Sequence, residues 1–201
     1  MPSQYGNRQK HENKNPIQRA LIAHFHRRLA DIVHALAPED ILDVGCGEGY
    51  TLSALREAGI GCPCSGIDLS PQAIAEARRR LPGVTFAVED AFELAREGRS
   101  YDLVMMTEVL EHVPEPERML PVLERIARRY VVLSVPWEPF FRGLNLMRGK
   151  HVLALGNDPE HVNHWGRDEF LRFVGDYFVV QHAPLVFPWT LVGMEVQAIR
   201  R

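Results

Sequence analysis

The chain has 201 residues, 46% hydrophobic and 24% charged, with a net charge of −3. That length supports one domain with a sizeable core and not two comfortable ones, and so slight a net charge excludes the global positive field of a nucleic-acid or anionic-membrane binder. Its three cysteines, Cys46, Cys62 and Cys64, supply neither a disulfide framework nor four zinc ligands, so reduced thiols in a cytosol are expected. In chain order, residues 1–15 are polar and aperiodic. They lack the apolar run of a secretory leader, and no apolar stretch approaches the ~18 residues of a membrane span, so the chain is expected to be cytoplasmic and not membrane-spanning. Residues 1–28 are basic, with Arg8, Lys10, Lys14, Arg19, Arg27 and Arg28 against Glu12, and read as a solvated tail and helix face. Pro16 opens a helix whose stripe is Ile17, Leu21, Phe25, Leu29, Ile32, Val33 and Leu36.

Ile41-Leu42-Asp43-Val44-Gly45-Cys46-Gly47-Glu48-Gly49 comes next: a short apolar run, then glycines at every second position, then helical spacing over 51–58. Strand, tight turn and helix follow, with main chain that a ligand can approach closely and free N–H groups at the helix start. Alternation continues with strand 65–69, helix Pro71–Leu81 capped by Ser70, strand 84–88, helix 91–97, strand 101–107, helix 115–129 and strand 130–135, which is the rhythm of a parallel sheet. Arg78, Arg79 and Arg80 close one helix and read as solvated cations at its carboxyl end. Residues 136–165 break the rhythm with aromatics, glycines and basic residues, the composition of a mobile lid. Helix 167–175 and strands 177–183 and 191–199 close the chain, the two strands antiparallel because no helix separates them.

The glycine spacing is G-x-G-x-G, and the third glycine of a dinucleotide fingerprint falls at Tyr50, which disfavours an NAD(P) oxidoreductase. Asp68 stands at the end of the second strand, where a carboxylate can take both hydroxyls of a ribose. Asp43-Val44-Gly45-Cys46-Gly47-Glu48-Gly49 followed by Asp68 resembles the cofactor site of class I S-adenosylmethionine (SAM) dependent methyltransferases. The resemblance covers most of the chain from Asp40 onward. It implies an α/β fold: a Rossmann-like, doubly wound, seven-stranded sheet, mostly parallel with an antiparallel last strand. It also implies a single domain over 1–201, with an N-terminal cap over 1–37 and the lid-like insertion over 136–165. The bound cofactor would be SAM, met by Asp43, Gly45, Cys46, Gly47, Gly49, Asp68 and Leu69, with Asp90 and Ala91 at the adenine and Glu108 closing the site. Asp90 also reads as a helix cap.

Thr107-Glu108-Val109-Leu110-Glu111-His112-Val113 ends the fourth strand, and Glu108, Glu111 and His112 can share a face if a helical turn begins at Leu110. Two carboxylates and an imidazole can do acid–base work or hold a metal with His161 or His164. His112 is the expected catalytic base, with Glu111 as its alternate. The stretch is similar to one in ubiquinone-pathway O-methyltransferases and their small-molecule relatives. It is also similar to a metal-holding stretch in small-RNA 3′-terminal 2′-O-methyltransferases. Lacking an overall basic charge, the chain fits a small-molecule acceptor better than nucleic acid. The remaining alternative is a SAM-binding partner subunit without catalysis, against which stands the cost of burying idle carboxylates.

Overall fold

The computed structural model describes residues 15–137 and 162–197. Residues 1–14 of the expected N-terminal cap, Lys14 among them, lie outside them. So does the expected lid apart from its ends, including Phe140, Phe141, Gly143 and His161.

Helix α1 (Pro16–Leu36) starts where Asn15 accepts from the Ile17 and Gln18 N–H groups and proline fills the first turn. Then follow β1 (Ile41–Val44), α2 (Tyr50–Glu57), β2 (Cys64–Asp68), α3 (Pro71–Arg80), β3 (Thr85–Val88), α4 (Ala91–Glu97), β4 (Tyr101–Thr107), a 3₁₀ turn (Leu110–His112), α5 (Pro116–Ile126), β5 (Ala127–Pro136), α6 (Arg167–Gly175), β6 (Phe178–His182), β7 (Leu185–Val186) and β8 (Trp189–Val196). Ser70 caps α3, accepting from the Ala73 N–H at 3.2 Å.

Among the described residues the sheet has eight strands in the order β3-β2-β1-β4-β5-β8-β6, with β7 paired to β8. Strands β3 to β5 are parallel, and β8 runs antiparallel to both β5 and β6. This is the expected doubly wound sheet, with the two-residue β7 as an extra strand too short to leave a sequence pattern. Alternate strand residues feed opposite faces. Leu42, Val104 and Met106 join the core under α4, α5 and α6, while Ile41, Leu103 and Met105 join the core under α1, α2 and α3. Among the described residues no helix is long and apolar enough to cross a membrane.

Most boundaries shift by a residue or so, and two differ from expectation for a plain reason. The α5 helix ends at Ile126 instead of 129, because Ala127 pairs with Tyr101 and Tyr130 with Leu103, drawing the chain into β5 early. The last strand begins at Trp189 instead of 191, because Trp189 pairs with Pro136 and Val186. The early start of β5 also pins the amino edge of the sheet. Arg128 reaches Asp40 at 3.0 Å, Arg129 reaches Asp102 at 3.3 Å, and Asp102 accepts from the Glu39 N–H at 2.9 Å. Asp102 is buried, so Asp102→Ala leaves the Glu39 N–H without its acceptor. Thermal or urea unfolding is expected to show a loss of about 1–3 kcal/mol, and unchanged stability would deny this staple its role.

Candidate active site

The carboxyl edge of the sheet, where open α/β sheets bind ligands, is built from the ends of β1, β2, β3, β4 and β5. After β1 the chain turns through Gly45 at φ +72°, where an added Cβ would meet Val109 Cγ2 at 2.6 Å. Only glycine fits that approach, so the loop after β4 closes directly on the loop after β1. Gly49, at φ +76°, occupies the capping position of α2 and no side chain caps the helix there.

Asp68 is aimed into this edge by two main-chain groups. Its Oδ2 accepts from the Gly47 N–H at 2.9 Å and its Oδ1 from the Ser70 N–H at 2.8 Å. The carboxylate thus organises the glycine loop, a part the spacing did not predict, and it retains accepting positions for hydroxyl donors. Leu69, next to it, is 72% exposed, a large apolar surface presented at the site. On β1, Asp43 is 1% exposed, and neither carboxyl oxygen has a hydrogen-bond partner among the described residues. Burial, reinforced by the Asp68 charge, pushes its carboxyl up to about 8. A carboxyl held so far from water and from partners suits a cationic ligand. Cys46 is buried within the turn, its thiol raised far above the ordinary range by burial and by Asp43, and is inert packing there.

Asp90 caps α4, its Oδ1 accepting from the Phe92 N–H at 3.0 Å, with Ala91 buried behind it. Arg78 and Arg80 correct the reading of a wholly solvated arginine run. Arg78 donates to the Phe86 carbonyl at 2.7 Å. Arg80 donates to the Glu48 carbonyl at 2.9 Å and lies 3.6 Å over the Tyr50 ring, clasping the glycine loop from outside. The Arg79 guanidinium pairs with Glu76 at the surface, as expected. Cys64 Sγ donates to the Cys62 carbonyl at the opposite end of β2, away from this edge.

The Glu108, Glu111 and His112 cluster divides. The chain from Leu110 forms a 3₁₀ turn, which sends Glu111 inward, 1% exposed, and leaves His112 exposed on the outside. Adjacent residues on a helical turn do not share a face, so these two do not converge. At the far end of the expected lid the chain returns to this turn, with the Val162 and Asn163 N–H groups donating to the Glu111 carbonyl at 3.0 and 3.1 Å and the Asn163 amide donating to the Val113 carbonyl at 2.5 Å. Among the described residues, which include Glu108, Glu111, His112 and His164, no group of three His, Cys, Asp or Glu could hold a metal ion. His161 lies outside them.

Glu108 itself has a left-handed backbone, φ +59°, and its N–H donates to both Ser134 oxygens, the carbonyl at 3.1 Å and the hydroxyl at 3.2 Å. Its Oε2 accepts from the Trp189 indole Nε1–H at 2.7 Å. Sequence reading missed Trp189, which comes 81 positions later at the start of a strand and carries no motif.

Comparison with known proteins places this geometry among methyltransferases. A family model described as a methyltransferase domain matches residues 17–177. A ubiquinone biosynthesis O-methyltransferase of Paraburkholderia phytofirmans is 38% identical over 120 residues, covering 57% of this chain and 47% of that protein. Norajmaline N-methyltransferase of Rauvolfia serpentina is 36% identical over 96 residues, covering 45% of this chain and 32% of that one. This match spans less than half the length of either relative. Magnesium protoporphyrin IX methyltransferase from Synechocystis, solved with bound S-adenosylhomocysteine, superposes with a TM-score of 0.72 at 21% identity, covering 94% of this chain and 92% of that one. At that identity the likeness speaks for the fold.

Proposed function

The chain belongs to the methyltransferase domain family, and from that premise we propose that it binds SAM and methylates a small molecule at oxygen, nitrogen or carbon. The observation that carries this reading is Asp68, locked by the Gly47 and Ser70 N–H groups at the end of β2 and aimed over the glycine loop. When bound, SAM supplies a methyl group on a positively charged sulfur, open to in-line attack. On this side, the main chain from Gly45 to Gly49 would receive the methionine portion and Asp68 the ribose hydroxyls. Leu69, Asp90 and Ala91 would border the adenine, and the buried Asp43 carboxyl would answer the cofactor's positive charge. Val109, wedged against Gly45, keeps the β4 loop and Glu108 beside that portion.

Alignment of donor and acceptor supplies much of the rate in such a transfer, so no covalent enzyme intermediate is required. Of the two residues expected to remove the acceptor's proton, His112 is exposed and would exchange it with solvent, whereas Glu111 is buried within the turn. The cap over 1–37 and the cover over 136–165 belong to the same proposal, supported by composition and by the return of residues 162 and 163 to the Glu111 carbonyl.

Calorimetric titration of the full chain is expected to show saturable binding of SAM and none of NAD. Binding of NAD, or no binding of SAM, would overturn the reading. A screen of small phenols, amines and carboxylates for release of S-adenosylhomocysteine then finds the acceptor.

A further inference from the structure

Most of the glycine loop's donors are spent within the fold. The Gly45 and Cys46 N–H groups donate to the Ile67 carbonyl at 2.8 and 3.0 Å, that of Gly47 to Asp68, and that of Gly49 to the Cys46 carbonyl at 3.0 Å. Among the described residues the Glu48 N–H has no acceptor, so Glu48 is the loop residue whose main chain can still donate to a ligand.

What holds Glu48 comes from outside the loop, from the last turn of α3. Arg80 donates from Nε to the Glu48 carbonyl at 2.9 Å and lays its guanidinium 3.6 Å from the centre of the Tyr50 ring. It therefore grips the chain on both sides of Gly49. Between those two grips the helix bears on the loop directly, since a Cβ added at Gly49 would stand 3.3 Å from Ala77 Cβ and 3.4 Å from Phe86 Cζ. Arg78, in the same turn, donates to the Phe86 carbonyl and steadies that ring's strand. Arg80 is itself exposed, and ordering so long an exposed side chain costs entropy, which here is offset by using both its donor and its flat face.

We infer that Arg80 is a positioning residue for the cofactor: by gripping the Glu48 carbonyl and the Tyr50 ring, it keeps the glycine loop in the shape that receives the methionine end of SAM. The inference rests on the methyltransferase reading and deepens it. Left to itself, a segment with glycine at every second position has many shapes open to it, and a ligand would have to order it on binding. A loop already ordered spares that loss. Direct attraction cannot be the reason for the arginine, because SAM carries two positive charges and one negative and is repelled by a further cation.

The test is calorimetry on the full chain with SAM, S-adenosylhomocysteine and 5′-methylthioadenosine, which keeps the adenosine and lacks the amino-acid end. In Arg80→Met, SAM and S-adenosylhomocysteine are expected to bind about tenfold more weakly, while 5′-methylthioadenosine binds as it does to wild type. Loss of charge alone would have the opposite sign for SAM. Arg80→Lys, which retains a cation and a donor without the flat fork, is expected to fall between Arg80→Met and wild type. Arg79→Met removes the neighbouring charge and a surface pair with Glu76, and is expected to leave all three affinities unchanged. Unaltered SAM affinity in Arg80→Met, an equal loss for 5′-methylthioadenosine, or a like loss in Arg79→Met would overturn the inference while leaving the methyltransferase reading in place. Should Arg80→Met fail to fold, the same three ligands on Arg80→Lys decide by the same pattern. Failure of the wild type to bind SAM would remove both.

Discussion

Asp68→Ala is expected to weaken SAM binding by at least a hundredfold, about 3 kcal/mol, when wild type and variant are compared by calorimetry. The carboxylate has two duties. It would hold the ribose hydroxyls, and it already satisfies the Gly47 and Ser70 N–H groups. Truncation would therefore remove the ligand contact and also release the loop that receives the rest of the cofactor, at the cost of two polar groups left without an acceptor. Asp68→Asn separates the duties. Each carboxylate oxygen accepts from a different main-chain N–H, so whichever way the amide turns, its NH₂ faces one of those donors, and only part of the loop order is recovered. An intermediate loss, on the order of tenfold, is expected for Asn. Equal SAM affinity in wild type and Asp68→Ala would sink the assignment of this residue.

Asp43→Asn is expected to act in two opposed directions. Burial, with the Asp68 charge second, raises the Asp43 carboxyl from its ordinary 3.8 to about 8. Between those values the folded chain holds a proton that the unfolded chain has released, so stability falls as pH rises from about 4 to about 8 and is lowest above that window. The amide carries no charge and escapes this loss. At pH 8.5 the variant without cofactor is expected to melt about 5 °C higher than wild type, with the gap closing as the pH is lowered toward 5. Calorimetry should show the reverse for the ligand, with SAM, a cation, binding about tenfold more weakly to the variant. A melting difference that stays constant between pH 5 and pH 8.5 would show that Asp43 is not held protonated by the fold.

Where local chemistry decides the structure, the chain could be read directly. Ser70 before Pro71 starts α3, Asp90 starts α4, and the glycines after Val44 turn the chain at β1. The place of Asp68 was legible because the end of the second strand is a fixed position in this architecture. What could not be read depends on contacts distant in sequence or on side-chain direction. Ala127 to Arg129 extend a helical pattern, yet pairing with Tyr101 and Leu103 and the anchoring of Arg128 and Arg129 on Asp40 and Asp102 turn them into strand. Glu111 and His112 were grouped through their spacing from Glu108, but adjacent residues of any helical turn point about 100–120° apart, and here Glu111 is buried while His112 is exposed. Arg80 lies at the helix end where solvated cations are usual, and only the fold brings Tyr50 beneath it. The Glu108 to Trp189 bond has no local signature at all.

The position of β8 between β5 and β6 has a consequence for how the chain is made. On a ribosome, β1 to β5 emerge and can assemble their parallel half in order, but the inner edge of β5 stays bare through the synthesis of everything up to Trp189. Strand β6 emerges earlier than β8 and has no seat until β8 arrives, because among the described residues it pairs with β8 alone. The nascent protein therefore carries an open apolar strand edge late into translation, the kind of surface that recruits chaperones or seeds aggregation. A premature stop before Trp189 would leave that edge permanently exposed, so truncated products are expected in the insoluble fraction even though the cofactor loop and Asp68 have already been made.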